Sequence, residues 1–399
     1  MKKFDRGLFP LSGDPVTFGH LDLITRAATD CEELVVLLCQ NDGKRGSYLF
    51  RLEERVAMME RAVKQLGIAG VRVQSWTGLL VDFFSREACD VIFRGIRDDR
   101  DRKEEERQMR YHTMIAPEVE GKVVYLEADP QLKDVSSTTV KAFISHGIEV
   151  TEYVPAFVKE LLEERILHQW KLGVAGEIAC GKTWLTDMLT DELKARGYET
   201  HVVRFDELVR HFYAEASPGA RAVREELVAL LGEGVLTVDR HEVVRSVLFA
   251  RMFDPATPEA TRDRIRALTA PHIMRLYRQA LRGVRGVILV EWAQLAEMHM
   301  GSFVNHRTLV IESPDRAAFA MERGLGDKLL KHVAATQWSA ERKSASLARD
   351  AREAGGGLVL RYENHRAEPD EAKRMVRELA DEILQYVPKE YCPLPGGAS

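Results

Sequence analysis

Cysteine is scarce in this chain, with five among 399 residues: Cys31, Cys39, Cys89, Cys180 and Cys392. No two form a Cys-x-x-Cys pair, which excludes a cysteine-based zinc site or a disulfide framework and points to reduced thiols in the cytoplasm. No apolar run approaches the ~18 residues a membrane span needs. The start, Met1-Lys-Lys-Phe-Asp-Arg6, has no signal-peptide apolar core, so no membrane partner and a cytoplasmic location are expected. A basic surplus is missing as well: Lys and Arg number 57, Asp and Glu 62, and the net charge of -5 argues against general nucleic-acid binding. Internal repeats and low-complexity blocks are absent. What is present is an ordinary globular composition, 45% apolar and 30% charged. The length suggests two or three domains, each with its own core.

Hydrophobic periodicity alternates between strand and helix. In the first half, strands are expected over 7–11, 33–39, 71–74, 91–93 and 123–126. Helices are expected around 21–28, over 51–66, 79–87 and 103–116, and from 137 onward. A helix and a polar joint near His168 follow, and a second alternation then starts. Its strands are expected over 172–175, 201–204, 286–291 and 308–311, with long helical stretches between 205 and 282. This order predicts an α/β protein of two mostly parallel sheets with helices on both faces, divided as 1–168 and 169–390, with 391–399 a disordered tail. Ligands on such sheets gather at the carboxyl ends of strands.

Two motifs sit at such ends. Gly173-Val-Ala-Gly-Glu-Ile-Ala-Cys-Gly-Lys-Thr183 follows an apolar run and precedes a helix-periodic one, the context a Walker A phosphate loop requires. Gly176, Gly181 and Lys182 would cradle phosphates, and Thr183 would ligate Mg²⁺. The next strand ends in Arg204-Phe-Asp206. Asp206 suits a proton acceptor for a hydroxyl nucleophile, or equally a helix cap. Near the start, Asp14-Pro-Val-Thr-Phe-Gly-His20 also lies between strand and helix. Gly19 would let backbone approach a ligand, and His20 would sit on the first helical turn, where amides and dipole favour anions. Lys44, Arg45, Arg94 and Arg97 add charge at other strand ends. The hydroxyls of Ser136-Ser-Thr138 open a further helix. Most of the charged segment 97–110 reads as a solvated helix face.

Residues 7 to about 165 resemble phosphopantetheine adenylyltransferases. Ser12-Gly-Asp-Pro-Val-Thr-Phe-Gly-His20, Leu52-Glu-Glu-Arg55, Gly78-Leu-Leu-Val-Asp-Phe83, Arg94-Gly-Ile-Arg97 and Val135-Ser-Ser-Thr138 match that family's motifs in order. The resemblance implies a Rossmann-like nucleotidyltransferase domain that joins ATP to 4′-phosphopantetheine, giving dephospho-CoA and pyrophosphate. His20 would stabilise the transition state with Lys44 and Arg94. Ser12, Lys44, Leu80 and Arg94 would hold phosphopantetheine. Gly19, Gly95, Arg97, Glu105, Ser136, Ser137 and Thr138 would hold ATP, with Ser12 and His20 beside them. Gly13 and Arg102-Lys-Glu-Glu105 depart from the family pattern. Self-association is a further expectation of the resemblance.

From about 171 to 385 the chain resembles dephospho-CoA kinases, through Phe205-Asp-Glu-Leu-Val-Arg210, Gly234-Val-Leu-Thr-Val-Asp-Arg240, Ala270-Pro-His272, Val287-Ile-Leu-Val-Glu291, Thr308-Leu-Val-Ile-Glu-Ser313, Met321-Glu-Arg323, Gln337 and Tyr362-Glu-Asn364. The resemblance implies a P-loop kinase that phosphorylates the ribose 3′-hydroxyl of dephospho-CoA. Lys182 and Asp206 would be catalytic, Asp206 as base beside the substrate, and Arg323, Lys328 and Lys343 would be lid cations. Glu177, Cys180, Trp184 and Arg204 depart from the pattern.

The product of the first reaction is the substrate of the second, so the two resemblances together suggest a bifunctional coenzyme A synthase. Three other readings stay open. One is a nicotinamide-mononucleotide adenylyltransferase fused to a nucleoside kinase, against which Thr17 speaks. Another is a sugar- or alcohol-phosphate nucleotidyltransferase. The third is a chain in which one domain is an inactive ligand sensor.

Overall fold

The structure, a computed structural model, describes residues 2–40, 46–252, 254, 256–322 and 337–391. The chain divides into two compact units, Met1–Ile166 and Leu167–Ser399. The first runs β1 (Phe4–Leu11), α1 (Phe18–Asp30), β2 (Cys31–Cys39), α2 (Leu52–Gln65), β3 (Val71–Trp76), α3 (Leu80–Arg86), β4 (Val91–Ile96), α4 (Asp99–Ile115), β5 (Val123–Glu127), α5 (Ser137–Ser145) and α6 (Ala156–Leu162). The second runs β6 (Gln169–Gly176), α7 (Lys182–Ala195), β7 (Thr200–Arg204), α8 (Phe205–Ala214), α9 (Pro218–Leu231), α10 (Arg245–Met252), α11 (Glu259–Leu281), β8 (Gly286–Glu291), β9 (Arg307–Glu312), α12 (Arg316–Glu322), α13 (Ala340–Glu353), β10 (Leu358–Glu363) and α14 (Pro369–Leu384).

Among the described residues, each unit holds one five-stranded sheet, in order β3-β2-β1-β4-β5 and β10-β9-β6-β8-β7. Every strand pair is parallel. The alternation of side chains across a strand explains how both faces are covered. In β8, Ile288 and Val290 join the core beneath α8, α9 and α11, while Val287 and Leu289 join the opposite core with Leu185 and Leu189 of α7 and Val376 and Leu379 of α14. In the first sheet, Leu8, Val35, Leu37 and Ile92 pack on Val81 and Phe83 of α3. Both chains of connections reverse direction beside the central strand, β1 in one sheet and β6 in the other. That switch point opens a crevice at the strands' carboxyl ends.

The strands are longer than periodicity suggests. β4 reaches Ile96, so Arg94 and Gly95 lie inside the strand rather than after it. α4 starts at Asp99 rather than 103, because Asp98 caps it by accepting from the Asp101 backbone N–H at 2.8 Å. β6 starts at Gln169, a buried polar residue. Its Nε2 donates to the Leu281 and Val284 carbonyls at 3.0 and 2.9 Å, which satisfies both amide N–H groups, while Oε1 is buried without a hydrogen bond. β10 was not legible in the sequence. Only Leu360 of its six residues is fully buried, so the alternation is faint. The expected tail beyond 391 lies outside the described residues.

Candidate functional sites

The first crevice centres on the loop between β1 and α1. Thr17 caps α1, and Thr17 and His20 form a reciprocal box: the His20 N–H reaches Thr17 Oγ1 at 3.4 Å, and the Thr17 N–H donates to His20 Nδ1 at 3.1 Å. A backbone N–H can only donate, so Nδ1 is an acceptor and the neutral ring carries its proton on Nε2. Burial, with Arg97 adding to it, lowers the His20 pKa to about 4. At neutral pH the ring is therefore an uncharged N–H donor.

The loop itself is tied down from three sides. Asp14 is 4% exposed; its carboxylate accepts the Leu49 and Phe50 backbone N–H groups at 3.0 and 2.9 Å and pairs with Lys141 at 2.8 Å. Arg55, buried within α2, donates to the Ser12 carbonyl at 2.6 Å and the Cys39 carbonyl at 3.2 Å. Ser137 Oγ donates to the Pro15 carbonyl at 2.8 Å. Asp14 and Lys141 carried no assigned role in the sequence. A lone Asp before Pro offers no signal that its oxygens face two amides 35 and 36 residues away.

The remaining expected residues of this crevice divide. Arg97 follows β4 and pairs with Asp101 at 2.8 Å, and its charge bears on His20. Arg94 and Glu105, expected on different ligands, form an ion pair with each other. Gly95 has a packing reason: a Cβ there would stand 2.5 Å from Leu23 Cδ1, so its glycine needs no nucleotide to explain it. Gly19 is the converse, since a Cβ would meet nothing closer than 3.6 Å within the protein. Ser136 caps α5 by accepting from Thr139 N–H at 3.0 Å, and Ser137 is spent on Pro15, which leaves Thr138 exposed. Leu80 opens α3 and packs partly against the Phe83 core. Lys44 and Arg45 lie outside the described residues.

The second crevice centres on the loop from β6 to α7. Gly181 takes φ +82° at the cap of α7, and a Cβ there would fall 2.1 Å from Asn364 Nδ2. At Gly176 a Cβ would fall 2.4 Å from the Ile311 carbonyl oxygen. Only glycine fits either place. Lys182 Nζ donates to the Glu177 carbonyl at 2.7 Å and the Gly176 carbonyl at 3.3 Å, so the ammonium lies across the loop. The start of α12, the residues before α13 and the loop after β10 fasten it. Arg316 pairs with Glu177 at 2.8 Å and donates to the Ile178 carbonyl at 3.1 Å. Gln337 Oε1 accepts the Ile178 N–H at 2.8 Å, and Asn364 Nδ2 donates to the Cys180 carbonyl at 2.9 Å.

Thr183 Oγ1 donates to Glu291 Oε1 at 2.6 Å, where β8 ends. Glu291 Oε2 is buried without a hydrogen bond, 3.4 Å from Arg204 Nε. A hydroxyl and a carboxylate side by side at a phosphate-type loop are hard oxygen donors that suit Mg²⁺, which is held by few protein groups alongside substrate phosphates. Among the described residues, no cluster of three or more His, Cys, Asp or Glu side chains offers an all-protein metal cage. Glu291 had no assigned role in the sequence, although an acid ending the apolar run 287–290 is a readable signal.

Asp206 is exposed on the first turn of α8. The cap of that helix is Arg204, so the helix-cap reading of Asp206 does not hold. Asp206 borders a cleft with Phe205, Arg262, Arg266, Trp292 and Glu297, in which Phe205 stacks on Trp292 at 3.6 Å between centroids. Lys343 corrects an expectation: it is 0% exposed and bonds the Ala293 carbonyl at 2.7 Å and the Glu297 carboxylate, so it is a buried strut and not a lid cation. Arg323 and Lys328 lie outside the described residues.

The first unit's sheet order, with its histidine at a helix start and arginines at the switch point, is that of an α/β nucleotidyltransferase. Residues 12–143 match the family model described as Cytidylyltransferase-like. The chain is 38% identical over 161 residues to a phosphopantetheine adenylyltransferase of Clostridium perfringens (strain 13 / Type A), spanning 40% of this chain and 94% of that protein. To that of Leifsonia xyli subsp. xyli it is 42% identical over 160 residues, spanning 38% and 94%. To that of Deinococcus radiodurans it is 39% identical over 148 residues, spanning 37% and 86%. Through its N-terminal part, the chain belongs to the phosphopantetheine adenylyltransferase family. Among solved structures it is similar to TT1252 from Thermus thermophilus, at 20% identity and TM-score 0.40, over 55% of this chain and all of that one. It is also similar to a dephospho-CoA kinase from Campylobacter jejuni, at 13% identity and TM-score 0.31, over 54% and 98%. Likenesses at that level carry no argument about chemistry. No helix among the described residues is long and apolar enough to cross a membrane.

Proposed function

We propose that the chain is a bifunctional enzyme of coenzyme A synthesis, with 1–168 the adenylyltransferase and 169–390 the kinase. The observation that carries the reading is the coexistence of an N-terminal part in the phosphopantetheine adenylyltransferase family with a separate glycine loop whose Thr183 meets Glu291 at 2.6 Å. The reading makes ATP and 4′-phosphopantetheine the substrates of the first site, and ATP and dephospho-CoA those of the second.

In the first step a phosphate oxygen of 4′-phosphopantetheine attacks the α-phosphorus of ATP. The new P–O bond forms as the bond to the β-phosphate breaks, and pyrophosphate leaves. Positioning and charge neutralisation supply the rate. Neutral His20 donates from Nε2 to the α-phosphate as charge builds there, with Arg97 adding positive potential. Lys44 and Arg94 hold the acceptor phosphate beside Ser12 and Leu80. Glu105 positions Arg94, and Thr138 supplies a hydroxyl to ATP at the start of α5.

In the second step Asp206 takes the proton of the ribose 3′-hydroxyl, and that oxygen attacks the γ-phosphorus as ADP leaves. Gly176, Gly181 and Lys182 hold the phosphates, with Arg323 as a further candidate cation for them. Thr183 and Glu291 would hold Mg²⁺, which when bound offsets the charge of the β and γ oxygens.

Incubation of the chain with 4′-phosphopantetheine, ATP and Mg²⁺, followed by mass spectrometry, should give dephospho-CoA and then CoA. His20→Ala should abolish the first product and spare phosphorylation of supplied dephospho-CoA, while Lys182→Ala should do the reverse. Loss of both steps in either variant, with the fold intact, would sink the two-site reading.

A further inference from the structure

Beside the glycine loop lies a groove of about 320 Å³, lined by Gly181, Trp184, Phe319, Asn364, His365 and Arg366. Trp184 is the third residue of α7, directly after Thr183. Trp184 is 39% exposed, in a helix whose leucines, Leu185, Leu189 and Leu193, are buried. A solvent-facing indole one residue from a phosphate loop, with a second aromatic ring in the same groove, forms a wall for a flat ring. A triphosphate held by the loop would direct its sugar and base past Gly181 into this groove.

Among the described residues, the polar side chains of the groove already have partners. Asn364 Nδ2 donates to the Cys180 carbonyl at 2.9 Å. His365 Nε2 lies 2.9 Å from Glu363 Oε1. The Arg366 backbone N–H donates to Asp315 Oδ2 at 2.8 Å, and its guanidinium pairs with Glu322. Side chains so occupied are poor readers of the hydrogen-bonding edge of a base. Stacking, in contrast, accepts any base, because every base presents a π-face.

We infer that Trp184 is the base-binding residue of the second site and that it holds the nucleobase by stacking with little choice among purines, so that this site takes GTP about as well as ATP. The inference rests on reading the glycine loop as the second unit's nucleotide site. Its test uses the full chain and calorimetric titration with MgATP, MgGTP and inorganic tripolyphosphate, following the binding site that Lys182→Ala removes. That site should bind ATP and GTP within about threefold of each other. Trp184→Ala should weaken both nucleotides equally, by about 5- to 150-fold, the range stacking energies span. Tripolyphosphate binding should stay unchanged, and Trp184→Phe should restore most of the nucleotide affinity. A preference for ATP above about thirtyfold, or a Trp184→Ala effect under twofold, overturns the inference while leaving the loop reading in place. If Lys182→Ala removes no site at all, the loop reading fails, and this inference with it.

Discussion

The protonation state of His20 is set by features that a sequence cannot display: its burial and then the nearby Arg97, while a backbone N–H on Nδ1 fixes the tautomer. The folded pKa, about 4, lies below the ordinary 6.5, so between these values the unfolded chain binds the extra proton. The stability this residue contributes is therefore fully present above pH 6.5 and is lost as pH falls toward 4, by about 3 kcal/mol in all. Urea unfolding of wild type and His20→Gln across that range should show the wild type losing stability more steeply. Adenylyl transfer should lack an acid limb near pH 6.5. At Gly181 the constraint is steric. Gly181→Ala places a methyl group against Asn364 in a left-handed conformation and should cost at least about 2 kcal/mol. Adding Asn364→Ala should recover part of that loss, as read by denaturant titration of both variants.

At the scale of elements, the loop after β1 depends on the segment preceding α2 and on α5 through Asp14. Its buried carboxylate accepts two amides and a lysine, and removing it leaves all three without that partner. Asp14→Ala should cost about 3 kcal/mol and slow adenylyl transfer at least about tenfold, with phosphorylation of supplied dephospho-CoA unchanged. Glu291 has the matching place at the end of β8. Glu291→Gln keeps the shape but removes the charge beside Thr183, and should raise the Mg²⁺ concentration for half-maximal phosphorylation about tenfold while adenylyl transfer is spared. Strands that form a continuous apolar run buried on both faces, such as β8, were readable from the chain alone. β10 was not, because three of its six residues are neither fully buried nor fully exposed. The start of α4 was mislaid for another reason. Asp98 caps the helix within a run of charges that carries almost no apolar period.

For the whole molecule, two switch points on two sheets mean two places where phosphates can be gripped. A time course from 4′-phosphopantetheine should show dephospho-CoA rising and then falling as CoA accumulates. With Lys182→Ala, dephospho-CoA should rise and remain. A wild-type reaction that stops at dephospho-CoA despite added Mg²⁺ and ATP would favour a second unit that only senses its ligand.

The sequence by itself determined the alternation of strands and helices, the two motif loops and the residues that open their helices. These are local matters of period, glycine placement and capping, set by neighbours within a few positions. Tertiary structure alone decided which side chains are spent on the protein itself. Glu105 on Arg94, Ser137 on Pro15 and Lys343 on Glu297 are matched across distant segments. It also brought Glu291 to Thr183 and Asn364 to the glycine loop, 108 and 184 residues away, because parallel strands deliver remote loops to a common edge.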